Sequence, residues 1–386
     1  MSMIALLVLL QTPVTGAAVI DDAGTITVTA TRLEDLAAAA ARCERGGCPT
    51  REDIATSVGY ASALFDQGNY LDAKRLLAAA VTRNRSSART EPLAVAQLFT
   101  AQATLASHEG NQEITRKATW ASRNVLTEGP TVPVLPRLTA EFRLADWQLR
   151  TFDLVGAQAR LANIAAEARA TGHDALADVA ELRRAMTLVA LRRRAESQAL
   201  LEMLAARTGP GSVDVRRAAL AVASRLAFAD GDSAAANSYT SRLAAIAAGP
   251  EPVLISAPPL PKPGQSVLAD PFTLVNSSGD IRGSDLLGLR WVDIGFWIRL
   301  DGSVDDVAIL RGSAKSDWAQ PLLRYIGDRR YSGFAPTAEG DRAGRYRIER
   351  YTLTADYLTP KGSLIRRRVA NPRFEVMEMS SEPPSD

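Results

Sequence analysis

The sequence predicts an α+β chain of two units: a solenoid of α-helical hairpins, then a small C-terminal α/β domain. Three observations predict it. The first is a ladder of small residues, Ala61, Ala103, Ala145, Ala185 and Ser224, each followed twelve positions later by Ala73, Thr115, Ala157, Ser197 and Ala236. The second set recurs at spacings of 42, 42, 40 and 39 residues, so residues 50–248 read as five copies of one helix pair. The second observation is a cluster of prolines after Gly249, which cannot continue a helix. The third is a hydrophobic period that changes from helical to two beyond that cluster. At 386 residues the chain also exceeds one ordinary core, which requires at least two domains.

Residues 1–18 open with Met-Ser-Met and the apolar run Ile4–Leu10. Those seven residues are too few to span a bilayer, which takes about 20. They suit the apolar core of a secretory signal, with Gly16 and Ala18 at the −3 and −1 positions of a cut. The Lys or Arg that commonly precedes such a core is missing, and a start codon further upstream would explain that. No cysteine follows at lipoprotein distance, so no lipid anchor is expected. Residues 19–49 form an N-terminal segment that holds both cysteines of the chain, Cys43 and Cys48, in ArgCysGluArgGlyGlyCysPro. Gly46–Gly47 lets the chain fold back, and in an oxidising compartment a disulfide is the favoured reading. Zinc needs further Cys or His ligands. The two histidines, His108 and His173, fall in turn regions without ligand spacing and are expected to be exposed. No metal or cofactor is expected. The signal and the cysteine pair together predict a periplasmic protein with no integral membrane span.

In each helix pair the small residues let two axes approach to the usual 8–10 Å. In copy one, Gly68–Asn69 makes the turn, Ala73 begins the return face, and Leu77 and Ala80 continue it. The same face continues at Thr119 and Ser122, Leu161 and Ile164, Leu201 and Leu204, and Thr240 and Leu243. The turn positions are Gly68, Gly110, Phe152, Arg192 and Gly231, where glycine tolerates the left-handed conformation that ends a helix. An irregular Ala-rich helical bundle is the alternative, and it too is helical.

Residues 249–271, with AlaProProLeuProLysProGly at 257–264, read as a stiff linker. In the domain at 272–379, Val292, Ile294, Phe296 and Ile298 alternate along one strand. Asp301–Gly302 turns the chain, and Val304, Val307 and Ile309 return. Residues 315–327 suit a short amphipathic helix with Trp318, Leu322, Leu323 and Ile326 inward. A long strand over Arg345–Tyr357 and another over Arg373–Met379 follow, then a disordered tail at 380–386.

The pattern Ala61, Leu64, Gly68, Tyr70 and Ala73 resembles a tetratricopeptide repeat, although the period is nearer 40 than 34. Copy two also has Thr115 where that family prefers Ala. The hairpin Gly295–Ser313 comes before a helix with Trp318 and Leu322. ArgArgTyr at 329–331, Pro336, Gly344 and TyrArgIleGluArgTyrThrLeu at 346–353 complete a second pattern. Over some 65–85 residues it is similar to the C-terminal domain of the TonB family. That resemblance implies a small domain that pairs an extended peptide with an exposed strand edge. The implied edge carries Tyr346, Ile348, Tyr351, Leu353 and Tyr357. The chain lacks the long membrane helix and the Pro/Lys-rich spacer of the energy transducer, so the resemblance does not carry that role over. A domain that only caps the solenoid is the other reading. Residues 21–32, AspAspAlaGlyThrIleThrValThrAlaThrArg, resemble the TonB box of outer-membrane transporters, with Thr25, Ile26, Val28 and Ala30 in the strand-forming stretch. That segment is expected to engage a TonB partner or this chain's own sheet, against the alternatives of a tethering strand or a disordered terminus.

Charge narrows the function classes. Residues 50–249 carry 24 basic and 20 acidic side chains, and residues 270–386 carry 17 of each. Neither has the basic excess of a nucleic-acid binder. Arg192–Arg194 reads as a solvated helix end, and Arg366–Arg368 is too short a run to mark lipid or RNA. No Gly-x-Ser-x-Gly elbow, His-Glu-x-x-His pair or phosphate-cradling glycine loop occurs, and Asp305–Asp306 follows a hairpin turn where water solvates it. The expected function is a non-enzymatic scaffold of the Gram-negative envelope. Its repeats would hold one protein and its C-terminal domain an extended strand of another, a partner set that extends to TonB-dependent transporters and the TonB system. A self-assembling structural factor is the alternative, and a hydrolase a more distant one.

Overall fold

The five turn positions fix the helical unit. Gly68, Gly110, Phe152, Arg192 and Gly231 have φ of 78°, 76°, 62°, 60° and 78°. Each ends one helix and the next residue starts the return. Asn69, Asn111, Asp153 and Asp232 cap the second helix by accepting from the backbone N–H of Asp72, Ile114, Gly156 and Ala235. Phe152 and Arg192 hold the left-handed conformation without being glycine, at a cost of about 1 kcal/mol each.

The computed structural model describes residues 33–129, 132–209, 212–246, 248–249, 251–263, 289–313, 316–335, 344–358, 367–368 and 372–380. The expected signal, the segment with Thr25, Ile26, Val28 and Ala30, and the tail beyond 380 lie outside the described residues. Helix α1 (Leu33–Arg42) leads through a π turn at Cys43–Gly47 into α2 (Thr50–Asp66). Cys43 and Cys48 form a disulfide across that corner. The helix pairs are α2 with α3 (Tyr70–Asn84), α4 (Pro92–His108) with α5 (Gln112–Glu128), and α6 (Val134–Arg150) with α7 (Leu154–Ala170). They continue as α8 (Asp174–Ala190) with α9 (Arg194–Ala205), and α10 (Ser212–Ala229) with α11 (Ser233–Ala244). Ala61, Ala73, Ala145, Ala157, Ala185, Ser197, Ser224 and Ala236 are buried, as a seam between the paired helices requires, whereas Ala103 of the second pair is half-buried. None of the helices among the described residues is long and apolar enough to cross a membrane.

The C-terminal unit is an antiparallel sheet with one helix on it. Its strands are β1 (Leu254–Ser256), β2 (Arg290–Ile298), β3 (Val304–Gly312), β4 (Arg330–Tyr331), β5 (Arg345–Thr354), β6 (Tyr357–Leu358), β7 (Arg367–Arg368) and β8 (Arg373–Glu378). The main sheet runs β3-β2-β5-β8, while β1 pairs with β4 and β6 with β7. Helix α12 (Gln320–Gly327) packs Leu322, Tyr325 and Ile326 on Val292, Ile294, Phe296, Ile298, Tyr351, Leu353, Phe374 and Val376. Trp318 and Leu323 border that core, half-buried. Inside it, Arg329 makes two hydrogen bonds to Glu349, at 2.7 and 3.0 Å, and one of 2.7 Å to the Tyr351 hydroxyl. The pair closes over the rings of Tyr325 and Phe296.

The strand implied as an open edge is interior over Glu349–Thr354, while Arg345–Arg347 pair with β2 alone among the described residues. β5 has β2 on one side and β8 on the other, because Phe374 and Val376 alternate in step with Tyr351 and Leu353 and fold β8 back along it. Tyr346 lies opposite Trp297 of β2, and the Ile348 carbonyl accepts from Met379 N–H. Tyr351 and Leu353 face the core, and Tyr357 belongs to the separate β6–β7 ladder. Among the described residues the outer strands are β3 and β8.

Candidate interaction site

The sheet has a second buried face. Alternation puts Trp291 and Asp293 of β2, Arg350, Thr352 and Thr354 of β5, and Glu375 and Met377 of β8 opposite the α12 side. A half-solvated sheet would leave these polar residues wet, yet Asp293, Arg350, Thr352 and Thr354 are 0% exposed. The hairpin turns of the solenoid cover them.

Arg350 is the centre of that contact. Its guanidinium donates to both Asp293 carboxylate oxygens, at 2.7 and 2.9 Å, and to the Asp66 carbonyl at 2.7 Å. It also donates to the Phe65 carbonyl. These carbonyls are the orphaned acceptors of the α2 C-terminus, where a cation is favoured by the helix dipole. The guanidinium carbon lies 4.1 Å from the Trp291 ring centre and 5.0 Å from that of Phe65. Burial opposes the Arg350 charge, and the hydrogen bonds to Asp293 together with the charges of Tyr70, Asp293 and Asp66 outweigh it and raise its pKa. Trp291 lies against Gly68, and the Ala355 carbonyl against Gly110, so close that a Cβ at either glycine would overlap them. Both glycines therefore serve the turn and the contact together.

The next hairpin engages β5 and β8. His108 Nδ1 lies 2.8 Å from the Thr352 hydroxyl, which also meets the Tyr70 hydroxyl at 3.3 Å. Ser107 donates to Glu375 at 2.8 Å, Arg150 of α6 pairs with the same carboxylate, and Gln112 donates to Asp356 at 2.9 Å. Burial alone would raise the Glu375 carboxyl, but the Arg150 charge, with that of Arg373 and the Ser107 hydrogen bond, holds it below its ordinary range. Burial pushes the His108 imidazole down to about 4, so it stands neutral at pH 7. The expectation that His108 is exposed fails here: it is 3% exposed, because the sheet covers the turn it sits in. Further along, Arg217 of α10 donates to Ser332 at 2.7 Å and to the Gly333 carbonyl at 2.6 Å.

The outer edge of β3 is different. Asp305, Asp306, Ala308, Leu310, Arg311 and Gly312 are exposed, whereas no residue of β8 is. Leu310 is 48% exposed and lies beside Gly295, as does the Tyr346 ring, which in turn leans on Trp297 at 5.2 Å. At the start of the strand, Asp305 and Asp306 both pair with Arg299, and Asp306 takes φ of 52°. Charge and a kink there blunt the edge. The stretch Val307–Leu310 is free of charge.

Of the residues implied as an edge, none lies on β3. Cys43, Cys48 and Glu52 bring ligand atoms within 4.8 Å, but the disulfide takes both sulfurs. Sequence reasoning missed Asp293, Arg350, Thr352 and Glu375 because they sit on the polar positions of a period-two pattern. The signal that could have found them is Trp291 and Met377, large apolar residues on that same face. No protein-family model and no curated protein matches this chain.

Proposed function

We propose that the protein is a non-enzymatic interaction scaffold of the bacterial envelope, periplasmic and exported through its apolar N-terminus. Its solenoid resembles tetratricopeptide repeats and its sheet domain the C-terminal domain of the TonB family. The sheet domain accepts an extended segment of a partner by strand addition, for which segments of TonB-dependent transporters are the leading candidates. The observation that carries this reading is the exposed outer edge of β3. It presents an uncharged, apolar stretch, Val307–Leu310, on a sheet packed against the solenoid on its other face. The Cys43–Cys48 disulfide supports an oxidising compartment.

A photo-crosslinking residue in place of Leu310, in living cells, tests the proposal. Adducts to a short extended segment of an envelope protein, absent when the probe replaces buried Val376, are expected. No adduct at Leu310 overturns it. A second reading, in which the sheet domain closes off the solenoid, is favoured by the burial of Arg350, Thr352 and Glu375 between the units. The two are compatible, since the buried face and the edge left unpaired among the described residues are different surfaces.

A further inference from the structure

α10 brings two arginines to the C-terminal domain, and they are treated differently. The stretch around β1 joins the two units there: Leu254 belongs to the core under α12, while Val253 and Ile255 pack on the α10 cluster. Arg217, near the start of α10, is 2% exposed and fully supplied with acceptors. It donates to the Glu251 carbonyl at 3.0 Å, to the Ser332 hydroxyl at 2.7 Å and to the Gly333 carbonyl at 2.6 Å. Eight residues on, about 12 Å along the axis, Arg225 has no such set. Its Nε and Nη1 are enclosed without a hydrogen-bond partner among the described residues. The residue as a whole is half-buried, so solvent still reaches it.

No nearby carboxylate is left to answer that charge. Asp214, the one acid of α10, lies with Arg217 against Gly249, and Asp230 pairs with Arg194. α12 contains no acid, and what it offers Arg225 is the Tyr325 hydroxyl. An enclosed cation without an anion is a costly arrangement, and a fold that keeps one keeps a place for the anion. Tyr325 supplies a second donor: it is 6% exposed, and burial raises its phenol, so the hydroxyl is protonated at pH 7. Its other cationic neighbour, Arg329, is committed to Glu349. One free guanidinium and one neutral hydroxyl match the single charge and two oxygens of a carboxylate, whereas a phosphate dianion calls for a second cation. Phe228 follows Arg225 by three residues, on the same side of α10, and its ring is 75% exposed.

We infer that Arg225 and Tyr325 bind the carboxylate of an apolar acid across the α10–α12 contact, with Phe228 against its apolar part. A free organic acid and the C-terminal residue of a polypeptide both carry this group. The site is distinct from the β3 edge and does not depend on the strand-addition reading.

Thermal melts of the full chain at constant ionic strength test it, with phenylacetate as probe, phenylacetamide as its uncharged twin and inorganic phosphate as the rival anion. Phenylacetate should raise the wild-type melting temperature and the amide should not. Arg225→Met should abolish the rise while melting no lower than the wild type without ligand. Tyr325→Phe, which removes only the hydroxyl, should weaken binding roughly tenfold, about one charge-assisted hydrogen bond. Phe228→Ser should weaken phenylacetate and leave acetate unchanged. No rise in the wild type, or an equal rise in Arg225→Met, overturns the site, and a larger rise with phosphate overturns the carboxylate assignment. Should Arg225→Met fail to fold, full binding in both Tyr325→Phe and Phe228→Ser overturns it instead. A short peptide ending in a free phenylalanine carboxylate, set against its amidated form, separates the sources. Stabilisation by the free peptide beyond that by phenylacetate assigns a polypeptide terminus, and a weaker effect assigns a free acid.

Discussion

Replacing Arg350 with Met should undo the joint between solenoid and sheet. The Asp293 side chain is 1% exposed, and its two oxygens hold Arg350 at 2.7 and 2.9 Å and Arg311 at 2.7 Å. Removing one member of a buried pair costs about 3–5 kcal/mol, because the remaining charge stays buried. Arg311 still neutralises part of Asp293, which argues for the lower end of that range. The carbonyls of Phe65 and Asp66 lose charge-assisted donors, which argues against less than about 3 kcal/mol. Since each 1.4 kcal/mol is about tenfold, amides of Gly68 to Tyr70 and of Tyr351 to Thr354 should open roughly a hundredfold more often. Hydrogen exchange read by mass spectrometry resolves this, with the α8–α9 pair as the internal control. Arg350→Met with Asp293→Leu should recover at least half the loss, because no buried carboxylate remains and half-exposed Arg311 can hydrate. A loss below about 1 kcal/mol in the single variant refutes the claim that Arg350 holds the joint.

Three further outcomes are expected. Gly110→Ala should cost more stability than Gly231→Ala in thermal melts. Both have φ above 75°, worth about 1 kcal/mol of strain, but only at Gly110 does the new Cβ overlap the Ala355 carbonyl, while Gly231 has open space. Stability should fall on acidification from about pH 6.5 to about 4: the His108 pKa is depressed to about 4 by burial, so the unfolded chain takes up the proton first. The loss is on the order of 3 kcal/mol, fully felt below pH 4, and the carboxylate of Glu375, also held below its ordinary range, adds its own loss in the acid limb. His108→Gln should flatten the slope between pH 6.5 and 4 in urea titrations, and an unchanged slope would assign it to other groups. Finally, Arg225→Met should be neutral or stabilising in the same titrations. Burial lowers the Arg225 guanidinium to about 10, and its Nε and Nη1 are buried without a hydrogen-bond partner among the described residues. A loss above about 2 kcal/mol would mean that Arg225 has a partner after all.

The helical unit was legible because its signals are local. A small residue at each seam and a left-handed residue at each turn depend on neighbours within one hairpin, and the spacing repeats them. Phe152 and Arg192 show how strong the register is: the turn keeps its conformation where the residue type opposes it. The sheet's α12 face was legible for the same reason, through the alternation of Val292 to Ile298. The order of strands was not. Whether β5 or β8 ends the sheet depends on contacts between residues some 25 positions apart, and both strands carry the same period-two pattern. The docking face was hidden more deeply. Asp293, Arg350, Thr352 and Glu375 look like solvated positions, and only a partner surface 200 or more residues away, at Phe65 to His108, turns them into a buried network.

That network also bears on how the two units can work. A sheet held by hydrophobic contact alone could slide on the solenoid. Here the acceptors are the carbonyls at the end of α2, and the donor is a guanidinium held by Asp293 and packed on the Trp291 and Phe65 rings. A shift of one residue would carry the Arg350–Asp293 pair off the end of α2 and leave the Phe65 and Asp66 carbonyls without a donor, each a cost of about 1 kcal/mol or more. The joint is therefore held in one register. The edge of β3 keeps a constant position relative to the helical repeats, so a partner that touches both must match the spacing between them.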